Sequence, residues 1–197
     1  MFTGLITHLG HFKEYRKSRS EVIIEVPEEL ALRLESGQSL AVDGACLTLV
    51  RKEKNRLAFN LTKETLEKTT LGELRPGQRL NLELPLTMEK LLGGHLVTGH
   101  VDGKGQVVAI KTRPPGKRLK IRLPLDLRKF LVEKGSVAVN GVSLTVAGLG
   151  PDNFEVELIP TTLNETNLGL LRAGDWVNLE CDIIGKYVYN FISKSRQ

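Results

Sequence analysis

The chain contains an internal duplication in which the second copy lies 97 positions after the first. The segment SLAVDGACLT, residues 39–48, aligns with SVAVNGVSLT, residues 136–145, and six of the ten positions are identical. Residues 61–72 and 75–83 align with residues 158–169 and 172–180 at the same displacement. A period near one hundred residues exceeds the roughly 20 to 50 residues of solenoid repeats. The sequence therefore predicts two homologous domains.

The start of each copy is visible in residues 1–6, which resemble residues 96–101 at a displacement of 95. We expect the difference of two residues to lie in copy one, in a polar hairpin loop between Gly10 and Val22, because loops tolerate insertions. We place the domains at residues 1–94 and 95–183, followed by a C-terminal helix at residues 184–197.

Short runs of alternating apolar and polar residues, such as EVIIEV and LKIRL, dominate both copies and predict strands. Turn residues separate these runs every eight to twelve positions, a spacing typical of a small closed barrel. In each copy a pair of leucines four residues apart, Leu30 with Leu34 and Leu127 with Leu131, predicts one short helix that plugs the barrel.

The segment from Asp182 to Lys194 has no equivalent in copy one. Its apolar residues form a stripe at helical spacings of three to four: Ile184, Val188, Phe191 and Ile192. Such a helix either joins chains in an assembly or packs back on its own barrel, and the pattern alone favours neither.

The net charge of +5 raises the question of nucleic acid binding. The basic residues cluster at positions 111–120 around a Pro-Pro-Gly turn, which is typical of a solvated hairpin tip. Aromatic residues are only 5% of the chain, so the bases of a nucleic acid would lack a stacking platform. We expect no nucleic acid partner.

No signal peptide or membrane span is evident, because the apolar runs are only as long as strands. The two cysteines, Cys46 and Cys181, do not occupy equivalent positions, which excludes a duplicated disulfide. We therefore expect a cytoplasmic protein without a membrane partner.

Cys46 and Ser143 occupy the same position in the two copies, just after a tight turn. A lone cysteine is often a small buried hydrophobe, but the matched threonines, Thr48 and Thr145, favour paired binding sites. His95 and His100 lack the spacing and the third ligand of a zinc site, so we expect no metal. His100 replaces Leu5 of copy one and could move protons near neutral pH.

Six motifs resemble those of riboflavin synthases of the alpha-chain type over essentially the whole chain: MFTG, DGACLT, KETL, GGHLVTGHVDG, NGVSLT and IPTTL. The resemblance implies a mainly β fold of two tandem homologous six-stranded Greek-key β-barrels with short helices and a C-terminal α-helix. It also implies a cofactor-free homotrimeric transferase that binds two molecules of 6,7-dimethyl-8-ribityllumazine at each active site. One lumazine would give a four-carbon unit to the other, yielding riboflavin. An association with lumazine synthase is left open.

The resemblance implies two pockets by position. The first-barrel pocket would contain Gly4, Leu5, Ile6, Cys46, Leu47, Thr48, Asn60, Leu61, Thr62, Lys63, Glu64 and Thr65, with Phe2 and Thr3 at its mouth and Ser39 nearby. The second-barrel pocket would contain His100, Val101, Asp102, Ser143, Leu144, Thr145, Ile159, Pro160, Thr161, Thr162, Leu163 and Asn164, with Lys134 close by.

For catalysis, we hypothesise that Cys46, Ser39 or a water that they hold adds to one lumazine. His100, with Thr3, would handle the proton of the other. Further catalytic candidates are Phe2, Ser143 and Asp182. The alternative function is that of a lumazine- or flavin-binding protein of the same fold without turnover. Such proteins tend to lose polar groups from the second pocket, whereas this chain retains them.

Overall fold

The computed structural model describes residues 1–89 and 91–195, and within them twelve strands form two closed antiparallel barrels. The first barrel consists of β1 (His8–Arg16), β2 (Glu21–Glu25), β3 (Ser39–Val42), β4 (Ala45–Glu53), β5 (Arg56–Asn60) and β6 (Arg79–Glu83). The second consists of β7 (Gly103–Arg113), β8 (Gly116–Arg122), β9 (Ser136–Val139), β10 (Val142–Leu149), β11 (Asn153–Leu158) and β12 (Trp176–Cys181).

Both barrels are Greek keys. The strand order around the first barrel is β1-β2-β5-β4-β3-β6, so β6 lies beside β3 and then pairs back to β1. The second barrel has the equivalent order, β7-β8-β11-β10-β9-β12. Closure removes most of the free strand edges that could otherwise pair with other chains. The predicted mainly β fold with two tandem six-stranded barrels is confirmed.

Each barrel encloses its own apolar core. Phe12 and Phe59 are fully buried in the first core, and Ile121 and Phe154 are fully buried in the second. Side chains alternate between the two faces of a strand, which is why the alternating sequence runs bury one set and expose the other. The exposed set forms the outer barrel surface, and the residues of interest lie there.

The predicted plug helices differ between the barrels. Helix α1 (Glu28–Leu32) buries Leu30, and Leu34 is buried just after it. Leu127 and Leu131 are buried in the same way, but the chain there forms only a 3-10 turn at Arg128–Phe130. The predicted second helix is therefore present only as this three-residue 3-10 helix. The first turn of α1 carries Glu28 and Glu29, which favour a helix start, whereas the equivalent positions of copy two are Leu125 and Asp126.

The extra two residues lie in copy two, so their predicted place in copy one is wrong. The stretch from Thr3 to the end of β2 spans positions 3 to 25, whereas the equivalent stretch in copy two spans positions 98 to 122 and is therefore two residues longer. The additional length extends the hairpin of β7 and β8. The tip of this hairpin, residues 111–115, is exposed and carries part of the basic cluster.

An approximate two-fold axis relates the barrels. Phe2 and Val97 occupy equivalent positions and exchange backbone hydrogen bonds of 2.7 Å and 3.1 Å. Gly44 and Gly141 meet across the same axis, where a Cβ on Gly44 would lie 2.7 Å from the Gly141 nitrogen. Both glycines have a positive φ, so this close approach requires residues without side chains.

A buried polar network fixes the orientation of the two barrels. The Asn81 side-chain amide donates to the Asn140 carbonyl at 2.9 Å, and the Asn178 amide donates to the Asp43 carbonyl at 2.8 Å. The Asp43 carboxylate accepts from the Asn81 backbone N–H at 2.7 Å and from the Asn167 amide at 2.8 Å. Because buried hydrogen bonds are costly to leave unmade, the barrels cannot rotate freely against each other.

Three further α-helices complete the fold: α2 (Lys63–Lys68), α3 (Pro160–Glu165) and α4 (Ile183–Lys194). Helix α4 contacts its own barrel, since the Tyr189 and Phe130 rings lie 5.5 Å apart. The predicted stripe nevertheless remains 48 to 75% exposed at Ile184, Val188, Phe191 and Ile192. The helix therefore packs on its own barrel through part of its surface, while its apolar stripe stays exposed. Residues 196 and 197 of the predicted C-terminal segment lie outside the described residues.

Within residues 1–89 and 91–195, no helix is long and apolar enough to cross a membrane.

Asp43 makes folding stability depend on pH. Complete burial raises the pKa of its carboxyl from 3.8 to about 7. The folded chain therefore binds this proton more tightly than the unfolded chain, so the protonated Asp43 carboxyl stabilises the fold at low pH. This contribution to the free energy of unfolding is lost as pH rises from about 4 to about 7. We expect Asp43→Asn, which keeps the Oδ1 acceptor, to remove a loss of up to about 4 kcal/mol. Urea unfolding from pH 4 to pH 8 measures the difference.

The matched control is Asn140→Asp at the equivalent position of copy two, which should add a second loss of stability over the same pH range. A parental protein whose unfolding free energy follows pH no differently from that of Asp43→Asn would contradict the assignment.

Candidate functional site

A cleft of about 430 Å³ lies on the outer surface of the second barrel. Its lining consists of Arg118, Lys134, Ser143, Leu144, Thr145, Ala147, Glu157, Ile159 and Thr162. Six of these nine residues belong to the predicted second-barrel pocket; Arg118, Ala147 and Glu157 do not. A cavity of about 450 Å³ also lies between the barrels beside Asp43 and Asn140, and none of the predicted site residues lines it.

Alternation along β10 turns Ser143 and Thr145 outward, because Val142, Leu144 and Val146 are buried in the core. The strand pairs with β11 only from Val146 onward. On this edge of residues 143–145, the Ser143 N–H is bonded and the backbone groups that follow it have no strand partner within the described ranges. Backbone groups two residues apart point to the same edge of a strand, so the Thr145 peptide faces the cleft.

The first barrel repeats this arrangement in β4, which turns Cys46 and Thr48 outward and pairs with β5 only from Leu49. Helix α2 follows β5, and its Thr62 cap accepts a hydrogen bond from the Thr65 N–H at 3.1 Å. Helix α3 occupies the same place in the second barrel. Each barrel thus presents an open strand edge flanked by a short helix.

The first segment of each copy packs against the other copy. The Gly4 carbonyl accepts from the Ser143 N–H at 2.8 Å, and the Gly99 carbonyl accepts from the Cys46 N–H at 2.9 Å. A Cβ on Gly4 would lie 2.6 Å from the Ser143 Cβ, and a Cβ on Gly99 would lie 2.5 Å from the Cys46 Cβ. Both glycines are required for this close approach.

This exchange corrects the predicted grouping of residues into pockets. Ile6 packs against the second core, and Val101 packs against the first. The segment 4–6 therefore belongs with Ser143, and residues 100 and 101 belong with Cys46, which is the reverse of the prediction; Asp102 stays with the second barrel. An alignment of repeats shows which residues are equivalent, whereas the contacts between copies depend on how the barrels pack.

Two buried glutamates hold the exchanged segments. The Glu83 carboxylate accepts from the Thr3 hydroxyl at 2.6 Å and from the Gly4 N–H at 2.9 Å. Glu180 holds residues 98–99 in the equivalent way, and burial raises the pKa of its carboxyl. The sequence analysis missed both glutamates, although the shared Asn-Leu-Glu of the two copies was a signal.

Phe2 and Thr3 lie inside the protein, not at a pocket mouth as predicted. Both side chains are fully buried. Phe2 packs with Val97 between the barrels, and the Thr3 hydroxyl is bound to Glu83. Neither side chain reaches the surface where a ligand would bind. Their contribution is to position Gly4 against β10.

His95 is a further site residue that the prediction omitted. Its Nδ1 lies 2.7 Å from the Ser143 Oγ, and its side chain is 8% exposed. Burial lowers the pKa of the imidazole, which favours the neutral ring. Among the described residues Nε2 has no hydrogen-bond partner. In the described part of the chain Cys46, the equivalent of Ser143, makes no side-chain hydrogen bond to a histidine.

Two of the predicted aspartates bond to residues of helix α4. Asp182 accepts from the Ile184 N–H at 3.0 Å and caps the helix. Asp102 accepts from the Cys181 N–H at 2.8 Å and pairs with Lys186 Nζ at 2.7 Å. Neither lines the second-barrel cleft. Burial raises the pKa of the Cys181 thiol to about 12, so it is not a reactive thiolate near neutral pH.

Ser39 and His100 accompany Cys46. Ser39 is half-buried and pairs with Thr48 across β3 and β4. His100 is exposed and follows Gly99, which bonds the Cys46 backbone. Cys46 itself is half-buried. The structure therefore brings a thiol, a hydroxyl and an imidazole to the same region of the first barrel.

The remaining predicted residues differ in exposure. Leu47, Leu61 and Leu144 are buried, so they offer a ligand mainly their backbone. The others are exposed or half-buried: Leu5, Asn60, Thr62, Lys63, Glu64, Thr65, Lys134, Thr145, Ile159, Pro160, Thr161, Thr162, Leu163 and Asn164. In the part of the chain that the structure describes, no three His, Cys, Asp or Glu side chains are placed to share a metal ion.

The two barrels match the family of lumazine binding domains at residues 3–85 and 98–182. In solved structures, similar chains are LumP complexed with 6,7-dimethyl-8-(1'-D-ribityl) lumazine and LumP complexed with riboflavin. Their TM-scores are 0.82 and 0.84, each at 27% sequence identity, and they cover 91% and 92% of this chain and 98% and 99% of the LumP chains. Fold and site thus define a protein of the lumazine-binding class.

Relatives with higher sequence identity than LumP identify the family within this class. The riboflavin synthase of Mycobacterium tuberculosis is 41% identical over 194 residues, which is 95% of this chain and 96% of that protein. Those of Actinobacillus pleuropneumoniae and Bacillus subtilis are each 36% identical and cover 98% and 100% of this chain and 91% and 92% of their own length. The chain belongs to the riboflavin synthase family.

The His95–Ser143 contact predicts unequal costs at two equivalent positions. Ser143→Ala leaves the buried imidazole without its partner and should lower the free energy of unfolding by about 1 to 3 kcal/mol. Cys46→Ala is the matched control and should cost less than about 1 kcal/mol. Chemical denaturation of both variants measures the difference.

Adding His95→Phe to Ser143→Ala should recover part of the loss, because neither polar partner then remains buried and unpaired. Additive losses in this double-mutant cycle would show that the two side chains do not interact.

Proposed function

We propose that the chain catalyses the last step of riboflavin formation, in which two molecules of 6,7-dimethyl-8-ribityllumazine become riboflavin and 5-amino-6-(D-ribitylamino)uracil. One lumazine gives a four-carbon unit to the other. Membership of the riboflavin synthase family supports this function. The observation that carries it is the pair of equivalent open strand edges, one on each barrel, both with polar groups retained.

Each edge suits one flat heteroaromatic ring. The open peptides of Thr48 and Thr145 can pair with the polar edge of a pteridine, as a neighbouring strand would. Threonine and asparagine side chains from α2 and α3 lie beside them and can bind ribityl hydroxyls. Sites that hydrogen-bond their substrate strongly reject analogues that lack those groups.

Catalysis requires a proton to be removed and two rings to be held together. The 7-methyl group of the lumazine is acidic because its carbanion delocalises into the ring. Orientation of two bound reactants can contribute up to roughly 7 to 11 kcal/mol. Cys46, or a water held with Ser39, would add to one ring. His100 lies in the same region and can transfer a proton at the facing ring.

The two rings meet if the first-barrel surface of one chain faces the second-barrel cleft of another. The exposed apolar stripe of α4 supports a homotrimer in which this helix joins the chains. Association with lumazine synthase and a cytoplasmic location remain expectations from the family resemblance and from the sequence.

The proposed reaction is tested by incubating the purified protein with 6,7-dimethyl-8-ribityllumazine alone. We expect one riboflavin and one ribitylaminouracil for every two lumazines consumed, measured by absorbance and mass spectrometry. His100→Ala removes a proton-transfer group and should lower kcat by about 100-fold or more. Cys46→Ala removes the thiol that would add to the ring and should also lower kcat. Their riboflavin affinity, measured in parallel, reports whether the site is intact.

The alternative function is lumazine binding without turnover, which the structural similarity to LumP favours. Tight binding of the lumazine with no product would establish that alternative. Full turnover in both variants would leave the reaction intact but remove Cys46 and His100 from its mechanism.

The homotrimer is tested on the exposed stripe of α4. We expect Phe191→Glu, at a side chain 75% exposed, to dissociate the assembly and abolish turnover while each chain stays folded. Light scattering after gel filtration measures the mass, and circular dichroism measures the fold. Asn190→Glu, at an exposed polar position of the same helix, is the control and should leave a three-chain mass. A parental protein of single-chain mass with full activity would contradict the trimer.

A further inference from the structure

Residues 98–101 reach from the second barrel to Cys46 on the first, and we call them the crossing segment. The Gly99 carbonyl of this segment accepts from the Cys46 N–H at 2.9 Å. The Glu180 carboxylate holds the start of the segment by accepting from the Gly99 N–H at 3.0 Å. The segment also carries the exposed His100. Its position therefore determines where this imidazole stands relative to the thiol of Cys46.

Asp102 fixes the other end of the crossing segment. Its N–H donates to the Leu179 carbonyl at 2.8 Å, and its Oδ2 accepts from the Cys181 N–H at 2.8 Å. Both partners lie on β12, so Asp102 is bonded to that strand through its backbone and its side chain. Its second carboxylate oxygen, Oδ1, lies 2.7 Å from Lys186 Nζ on helix α4. Helix α4 thus contacts the residue that joins the crossing segment to β7.

The ion pair of Lys186 and Asp102 is largely shielded from water. Its two side chains are 21% and 19% exposed. Burial raises the pKa of the Glu180 carboxyl, and the hydrogen bonds from Thr98 and the charge of Lys186 oppose this rise. Lys186 therefore lies near both carboxylates that hold the crossing segment. Removing one member of a shielded pair is costly, because the other charge stays behind without a partner.

The first copy has no counterpart of this ion pair. Thr7 stands where the second copy has Asp102, 95 positions later, and its N–H donates to the Leu82 carbonyl at 3.1 Å in the same way. A threonine hydroxyl cannot form an ion pair, and copy one contains no sequence equivalent of α4. The ion pair is therefore specific to the segment that carries His100.

Helix α4 uses opposite sides for its own barrel and for its exposed stripe. Lys186 and Tyr189 are three residues apart and lie on one side of the helix, which faces Asp102 and Phe130. The helix approaches the barrel closely here, since a Cβ on Gly185 would lie 2.8 Å from the Phe130 carbonyl oxygen. The stripe that would join the chains lies on the other side.

We propose that Lys186 and Asp102 form a positioning pair that holds the crossing segment, and with it His100, against Cys46. This inference rests on the proposed function, in which these two groups carry the proton transfer and the addition to the ring. Both members of the pair act through the crossing segment and not by contact with the ligand. Helix α4 therefore has a second role beside assembly, because it sets the geometry of the first-barrel site.

The test breaks the ion pair from both sides. Lys186→Met removes the cation, and Asp102→Asn removes the anion while its amide oxygen can still accept from the Cys181 N–H. Lys186→Arg keeps the charge and is the conservative variant. Lys194→Met removes the charge of an exposed lysine on the same helix and is the matched control.

The first measurement is the rate at which iodoacetamide alkylates Cys46 in the ligand-free protein. Gly99 lies directly on this residue, since a Cβ on Gly99 would lie 2.5 Å from the Cys46 Cβ. We expect Lys186→Met and Asp102→Asn each to raise the rate about tenfold, because the crossing segment opens more often. The two variants change the local charge in opposite directions, so an increase in both cannot come from an electrostatic effect on the thiolate. Peptide mass spectrometry separates Cys46 from the buried Cys181.

The second measurement is turnover of 6,7-dimethyl-8-ribityllumazine, with the mass of the assembly followed by light scattering. Both variants should keep the parental mass and lower kcat about tenfold or more, because a displaced catalytic group loses most of its effect. Lys186→Arg should return alkylation and kcat to within about threefold of the parental values, and Lys194→Met should stay within about twofold, since an isolated exposed charge contributes little.

Unchanged alkylation of Cys46 in folded Lys186→Met and Asp102→Asn proteins would overturn the proposal, and so would an increase in only one of them. Faster alkylation with an unchanged kcat would limit the pair to a structural role. A loss of kcat that appears only together with a loss of the parental mass would show that α4 acts through assembly alone. A parental protein that binds lumazine without turnover would remove the proposed reaction, whereas alkylation still decides whether the pair holds the segment.

Discussion

The structure depends on the exchange of short segments between its two barrels. Each barrel has an outer strand whose edge is open, and the other copy delivers a glycine carbonyl to that edge: Gly4 to Ser143 and Gly99 to Cys46. The buried carboxylates of Glu83 and Glu180 hold these glycines in place by accepting hydrogen bonds from their N–H groups. A ligand at either edge therefore contacts a surface built by both copies, and neither barrel forms its site alone.

The sequence was sufficient for the fold class, because alternation, turn spacing and the duplication all agree on two small barrels. It was also sufficient to single out Cys46 and Ser143 as matched outward residues. It could not show which copy supplies residues 4–6 and 100–101 to each site. Equivalence between repeats is a property of the alignment, whereas that choice is made by packing across the approximate two-fold axis.

Other residues were missed because their chemistry becomes visible only in three dimensions. His95 was considered only as a metal ligand, since a lone histidine gives no sign of the hydroxyl that it will meet. The Arg118 pairs with Glu155 and Glu157 join two strands that are more than thirty residues apart in sequence. The plug helix of copy two is shorter than predicted for a different reason: two leucines four residues apart predict burial as well as they predict a helix, and here both are buried beside a 3-10 helix of three residues.

The interface between the barrels is self-complementary. The Asn81 amide of the first barrel donates to the Asn140 carbonyl of the second, and the Asn178 amide of the second donates to the Asp43 carbonyl of the first. Phe2 and Val97 exchange backbone hydrogen bonds in the same reciprocal way. An interface of this kind is what two identical chains form around a true two-fold axis. A gene for one barrel would thus encode a pairing subunit with two equal sites. Fusion of two such genes frees each half to mutate separately, and the difference between Asp43 and Asn140, or between Glu21 and Arg118, is the asymmetry that only a fused chain can inherit.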